Sequence, residues 1–261
     1  MSSISLGFIS RKTAFIAFLA LMLGGCSSNY VTPGGSVTLA ELVETDISEV
    51  LTREPTARFP ANIAVARVQA PEYQSHRNSS FGTGRYSVVT TRDVEGDDDF
   101  ERIAALPGVA GLGPLNRILL PTSLDTIRAL RVAAAQLKAD ILLVYTFDTT
   151  FGVGEQHFRP LNVIALGFLP NKEVAVTTTA SAALFDVRTE FLYGLSEASA
   201  RESRYASVWG SADAVDDLRV ATEREAFQAL VVEIEKTWNG IVKQHSGRQT
   251  SAVPTISEPA V

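Results

Sequence analysis

The chain has 261 residues, 46% of them hydrophobic and 20% charged, with a net charge of −6 and one cysteine. That length suits one large domain with elaborations, and the lone cysteine excludes an intramolecular disulfide. The acidic balance argues against nonspecific nucleic-acid binding and against a polybasic grip on anionic lipid.

Arg11 and Lys12 precede an apolar run of ten residues from Ala14 to Leu23, which leads into Gly24, Gly25 and Cys26. Such a run falls far short of the roughly 20 residues that span a bilayer, and its small-residue end fits a cleavage site. Residues 1–25 are read as a lipoprotein signal cut between Gly25 and Cys26. Cys26 stands where a lipobox places the cysteine that is acylated; the plainer alternative is a free or buried thiol after an ordinary secretory signal. Ser27, not an aspartate, follows it, a pattern that implies delivery to the outer membrane. Removing the signal takes the charge from −6 to −8, because Arg11 and Lys12 leave with it. Acyl chains contribute roughly 0.8 kcal/mol per buried CH₂, so several would hold the protein without help from charge.

Residues 26–36, with the sequence SSNYVTPGGS after the cysteine, have the composition of a tether. Thr38 to Glu41 carries a capping pattern, and Leu39, Leu42, Val43, Ile47, Val50 and Leu51 recur at helical spacing up to Pro55. This predicts a helix packed on the body. Ile63 to Val68 is apolar on both faces between Pro60 and Pro71, which predicts a central strand. From Glu72 to Gly113 the chain is polar and glycine-rich, with a strand expected at Tyr86 to Thr91 and a short helix around Phe100, Ile103 and Leu106. Gly82-Thr83-Gly84 and the run from Gly108 to Gly113 look like phosphate loops. Neither follows a strand and opens a helix, so turn glycines are the preferred reading. Glu95 with Asp97, Asp98 and Asp99 lacks calcium-loop spacing and suits the acidic first turn of a helix.

The stretch from Arg117 to Asp148 reads as a complete strand, helix, strand unit. Ile118 to Leu120 is the first strand, ended by Pro121, and Thr122 with Asp125 opens the helix. Leu124, Ile127, Leu130, Ala134 and Leu137 form its apolar face, and Ile141 to Phe147 is a strand covered on both sides. Asp148 to Arg159 is a polar link. Leu161 to Leu169 is a core strand or, alternatively, an apolar flap touching membrane or a partner subunit. Val174 to Phe185 and Phe191 to Ser203 form a long antiparallel hairpin. Ser211 caps a last helix whose buried face is Val215, Leu218, Phe227, Leu230, Val231, Ile234, Trp238 and Ile241.

Marks of chemistry are sparse. The histidines are His76, His157 and His245, with no H-E-x-x-H, no G-x-S-x-G and no metal-ligand spacing. No cofactor, no metal and no catalytic residue is assigned. A triad of His157 with Asp148 and a distant serine is the one hydrolase arrangement left open, against a loop histidine.

The stretches LRVAAAQLKADILLVYTF and ALFDVRTEFLYG resemble the periplasmic lipoprotein group that includes the curli secretion channel subunit, the Pel polysaccharide secretion lipoprotein and relatives of the TolB N-terminal domain. In that group the helix ends AAxxLGAD and a later strand ends DxRTG; here these become Ala133 to Asp140 and Asp186 to Glu190, with Lys138 and Glu190 where the group has glycine. The resemblance implies a non-catalytic member of envelope secretion that assembles as a ring or accessory unit. The layout and the stretch VTTTASAALFDVRT are also similar to rhombotarget lipoproteins, whose C-terminal glycine pair and apolar helix this tail lacks.

The fold class is α/β: a mixed β-sheet with a central parallel β-α-β unit, a long antiparallel hairpin and a long C-terminal helix packed on the sheet. A signal at 1–25, a tether at 26–36, one domain at 37–243 and a disordered tail at 244–261 complete the organisation. The expected function is an outer-membrane-anchored periplasmic lipoprotein, an assembly or accessory component related to secretion. The expected partners are the membrane through the Cys26 lipid, a second copy or envelope proteins, and no nucleic acid. The rival is a binding module for a small envelope ligand, with Gly82 to Arg85 or the loop after Phe147 as its rim.

Overall fold

The computed structural model describes residues 29–38, 46–71, 73–153, 156–158, 163–165, 173–205 and 212–246. In chain order the elements are β1 (Asn29–Val31), α1 (Ile47–Leu51), β2 (Ala61–Gln69), β3 (Thr83–Gly84), β4 (Ser87–Val89), α2 (Asp97–Ala104), β5 (Val109–Pro114), β6 (Ser123–Leu124), α3 (Arg128–Gln136), β7 (Ile141–Val153), β8 (Gln156–Phe158), β9 (Val163–Ala165), β10 (Glu173–Asp186), β11 (Leu192–Tyr205) and α4 (Ala212–His245).

Ile63, Ala64, Val65, Ala66 and Val68 are apolar on both sides of the pleat, so their strand needs cover above and below, and it lies in the middle of the sheet. The order is β11-β10-β7-β2-β4, with β5 also on β2 and β8 on β7. β2 runs parallel to β7, from Ile63 opposite Ile141 to Arg67 opposite Tyr145. β5 runs parallel to the first half of β2, and β4 pairs antiparallel with its end. β10 pairs antiparallel with both β7 and β11 along almost its whole length.

Each face has its own core. Ile63, Val65, Ile141, Leu143, Phe147 and Leu184 meet Phe227, Leu230, Val231, Ile234 and Trp238 of α4. Ala64, Ala66, Val68, Leu142 and Val144 meet Leu130, Ala133 and Ala134 of α3 on the other side. α4 has 34 residues, about 51 Å at a rise of about 1.5 Å per residue, and every apolar position predicted for its buried face is buried. The hairpin forms as the alternation requires. α2 begins with Asp97, Asp98 and Asp99, and Asp99 accepts from the Gly96 N–H at 3.1 Å, so these acids serve a helix start.

The parallel unit differs from the expected one. Arg117–Leu119 is a 3-10 turn and Ile118 is 85% exposed, because the Asn116 side chain accepts from the Ile118 N–H and bends the backbone. The main-sheet strand before α3 is β5, which overlaps the run from Gly108 to Gly113 read as turn glycines. At Gly111 an added Cβ would come within 3.0 Å of the Asn62 side chain, so the glycine allows the two strands to lie close. Helix α3 starts at Arg128, not at Thr122. Ser123 donates to Asp125 at 2.7 Å, and Leu124, fully buried, belongs to β6.

Four further expectations are corrected. Asp148 to Arg159 is not a link: β7 continues to Val153 and returns as β8. Its polar letters mark one exposed face, with Asp148 and Thr150 outward and Thr149 and Phe151 buried between them. α1 buries none of its residues, with Ile47 and Leu51 about four-fifths exposed, so this helix does not pack on the body; 39–45 lie outside the described residues. Within the expected tether, Tyr30 and Thr32 are buried and β1 pairs with β9, so this stretch is partly packed on the body. The remainder of the Leu161 to Leu169 stretch lies outside the described residues. At the other end His245 is helical and buried against the rings of Phe191 and Tyr193, so the tail reading does not hold there.

Candidate functional site

Arg67 is the one charged side chain in the apolar run of β2, and the pleat turns it toward α4. On α4, Asp216, Arg219 and Glu223 recur at i, i+3 and i+7, which puts them on one buried face. The two elements therefore bring charge into the core, and residues 93–95 complete the cluster. Arg67 lies 3.0 Å from Asp93, 3.4 Å from Glu95 and 3.7 Å from Glu223. Arg219 lies 2.8 Å from Asp216 and 2.5 Å from Glu223. Tyr145 donates to Glu95 at 2.7 Å, Thr149 to Glu223 at 2.9 Å, and the half-exposed Arg77 reaches Asp216 at 3.0 Å. The Arg67 guanidinium also stacks over Phe147, 4.6 Å from its centroid.

Four carboxylates thus face two fully buried guanidiniums and Arg77. Burial pushes the Glu223 carboxyl above its ordinary range against the pull of Arg219 and Arg67. For Asp93, burial is outweighed by Arg67 and Arg219, and the carboxyl lies below its usual value. Burial drives the Tyr73 phenol up to about 12, so it stays neutral, and its oxygen accepts from the Arg67 guanidinium at 3.3 Å. This network ties β1, β2, the 73–95 loops, β7 and α4 together. Its arrangement is that of a clamp, since every charge faces another protein group rather than an open cavity.

One groove lies on the opposite face, where α3 covers only part of the sheet. A half-open groove of about 430 Å³ has Val37, Val68, Val144, Ala183 and Leu195 as apolar lining and Thr38, Thr146, Ser181 and Glu197 among its polar residues. Its size and mixed lining suit a small amphipathic molecule. It lies apart from both rims proposed from the sequence: residues after Phe147 continue a strand, and Gly82-Thr83-Gly84 is pinned to β6. A Cβ at Gly82, whose φ is +96°, would come within 2.3 Å of Leu124, so that glycine serves backbone packing.

A second polar centre sits at the hairpin turn. Asp186, fully buried, accepts from the N–H groups of Thr56 (2.6 Å), Ala57 (3.0 Å), Arg188 (2.8 Å) and Thr189 (3.1 Å) and from the Tyr193 hydroxyl (2.9 Å). Burial alone would raise its carboxyl; the N–H donors of Thr56, Thr189 and Arg188 outweigh it and hold it low. All of its partners are structural.

Cys26 and Gly25, the sequence-assigned lipidation and cleavage positions, lie outside the described residues. His157 pairs through its backbone with Gly152, its side chain lying outside the described residues. His76 meets Asp213 at 2.8 Å on the surface. Among the described residues no group of three or more His, Cys, Asp or Glu could hold a metal ion. The sequence reading missed the ion network, although an arginine inside an apolar strand and a charged i, i+3, i+7 set on an apolar helix face were both legible signals.

No protein-family model matches the chain, and no curated protein matches it. Among solved structures, the lipoprotein GNA1162 of Neisseria meningitidis is similar at 18% identity and a TM-score of 0.28, over 62% of this chain and 99% of that one. A protein of Helicobacter pylori described as a neuraminyllactose-binding hemagglutinin homolog is similar at 9% identity and a TM-score of 0.34, over 84% and 100%. The hypothetical protein CT253 of Chlamydia trachomatis is similar at 11% identity and a TM-score of 0.26, over 67% and 95%. At these TM-scores the likenesses carry no argument about this chain.

Proposed function

We propose that the chain is a periplasmic lipoprotein held at the outer membrane by acylated Cys26, acting as a non-catalytic assembly or accessory component of the cell envelope, in a secretion-related role. The observation that carries this reading is the sequence from Arg11 to Cys26, a basic and apolar leader whose small-residue end runs directly into a cysteine. The fold adds a geometric constraint. Asn29 already pairs with Ala165, and three residues span at most about 11 Å, so the lipid would hold the body against the membrane surface. No helix among the described residues is long and apolar enough to cross a membrane.

The test compares the native chain with Cys26→Ser in membrane fractions of the producing cell. The native chain is expected with the outer membrane, released by detergent and not by high salt, whereas Cys26→Ser is expected to lose that association. A native chain that washes off in salt contradicts the reading.

A second reading is a binding module for a small envelope ligand, favoured by the groove over Val68, Val144 and Ala183. Leu195→Glu at its rim would abolish such binding while leaving membrane association unchanged.

A further inference from the structure

The sheet ends unequally. One edge is divided between β4, of three residues, and β5, of six. The other is β11, fourteen residues long, and among the described residues nothing pairs with its outer side. A long unpaired strand exposes a row of backbone donors and acceptors, which proteins ordinarily guard with charge. The charges on β11 have an order that a guard does not need. On its exposed face Glu197, Ser199 and Arg201 follow one another in alternate positions, and among the described residues neither Glu197 nor Arg201 has an ion-pair partner.

We infer that β11 is a dimer edge, on which a second copy of this chain adds its own β11 antiparallel about a two-fold axis through Ser199. In that register Glu197 of each copy stands opposite Arg201 of the other, Ser199 faces Ser199, and on the helix-covered face Ala198 faces Ala200. Moving the centre one residue either way places both charges opposite uncharged residues. Centring on Ser203 would also oppose unlike charges, Glu202 and Arg204, but over only the last residues of the strand, so the Ser199 register is the longer self-complementary one, as a two-fold interface requires. Small side chains at Ala198 and Ala200 leave room beneath the junction, where α4 already covers the strand. Main-chain bonding along the edge supplies affinity, and the two cross-strand ion pairs select the register. The alternative, charges that only repel chance pairing, predicts a monomer.

This inference deepens the assembly role in the reading above and does not rest on the lipid. The test uses the full chain with Cys26→Ser, so that Ser199→Cys carries the only thiol. Directly opposed strand residues have Cα atoms roughly 4.5–5.5 Å apart, within disulfide reach. Mild oxidation is expected to give a covalent dimer. Arg201→Glu should lower its yield about tenfold or more, since two attractive pairs become repulsive, and the swap of Glu197→Arg with Arg201→Glu should restore it. Asp98→Cys on α2 should remain monomeric. Absence of the Ser199 crosslink, an equal crosslink at residue 98, or indifference to Arg201→Glu overturns the proposal. Any of these leaves the acylation of Cys26 untouched, since that is read by membrane fractionation of the native chain.

Discussion

The Tyr30 hydroxyl donates to Oδ1 of Asp216 across 3.3 Å, joining a residue four places after Cys26 to the first half of the C-terminal helix. The chain next to the proposed anchor is therefore fastened to the same ion network that holds β2 against α4. Burial raises the Tyr30 phenol well above its ordinary value, so it remains a donor across the accessible pH range. Tyr30→Phe removes only the hydroxyl and is expected to cost about 1 kcal/mol; Tyr30→Ala also empties a buried site against Phe151 and is expected to cost about 3–5 kcal/mol. Urea unfolding monitored by circular dichroism separates the two.

The ion network predicts an asymmetry. Arg67→Met leaves Glu95 without a buried cation and takes one of two buried cations from Asp93 and Glu223, and should cost about 3–5 kcal/mol. Glu223→Gln removes one of four carboxylates and should cost less. Because the folded-state carboxyl of Glu223 is raised, the native state binds its proton more tightly than the unfolded chain. Its stabilising contribution is present below the unfolded value of about 4.3 and is lost as pH rises through the folded value. The native chain should accordingly lose stability relative to Glu223→Gln as pH rises above about 4.3, as a pH series of denaturation midpoints would record.

Asp186 has the opposite sign. Its folded carboxyl is held low, so its contribution is present above the unfolded value of about 3.9 and disappears as pH falls through the folded value. Asp186→Asn should lower stability at pH 7, and the gap to the native chain should narrow as pH falls below about 4. A gap that stays constant between pH 7 and pH 3 would show that the carboxylate charge contributes nothing.

Lys138 and Glu190 both adopt left-handed backbone, with φ of 59° and 63°, a conformation that favours glycine. Lys138 is exposed, so Lys138→Gly should relieve backbone strain and raise stability by about 0.5–1 kcal/mol. Glu190 is gripped by Arg131 at 2.5 Å and Arg53 at 3.2 Å. Glu190→Gly relieves the same strain but loses both pairs, and a net loss of about 1 kcal/mol is expected. The two midpoints should move in opposite directions.

These residues also show how far the sequence could be read. Periodicity marks an element when one face is buried and the next is not, and this is why β2, the hairpin and α4 were legible. β5 was hidden because Gly111 and Gly113 give no alternation, and its role depends on closeness to Asn62, which is a long-range fact. The helix signal at Thr122 was misleading because Ser123 and Asp125 bond each other, and the buried Leu124 is held in a strand pair. The end of β7 was hidden by its polar outward positions. The groove combines residues from the 36–38 segment and four strands, a juxtaposition that only the register creates. The ion network could have been suspected at Arg67 and along α4, but its partner Asp93 comes from a loop with no pattern of its own.

The proposed lipid on Cys26 is read out by the mass of the N-terminal peptide from detergent-extracted protein. The expected peptide begins at Cys26 and carries the added mass of a diacylglyceryl group with or without a further acyl chain. A peptide that begins at Met1, or one that begins at Cys26 with its thiol free, would contradict it.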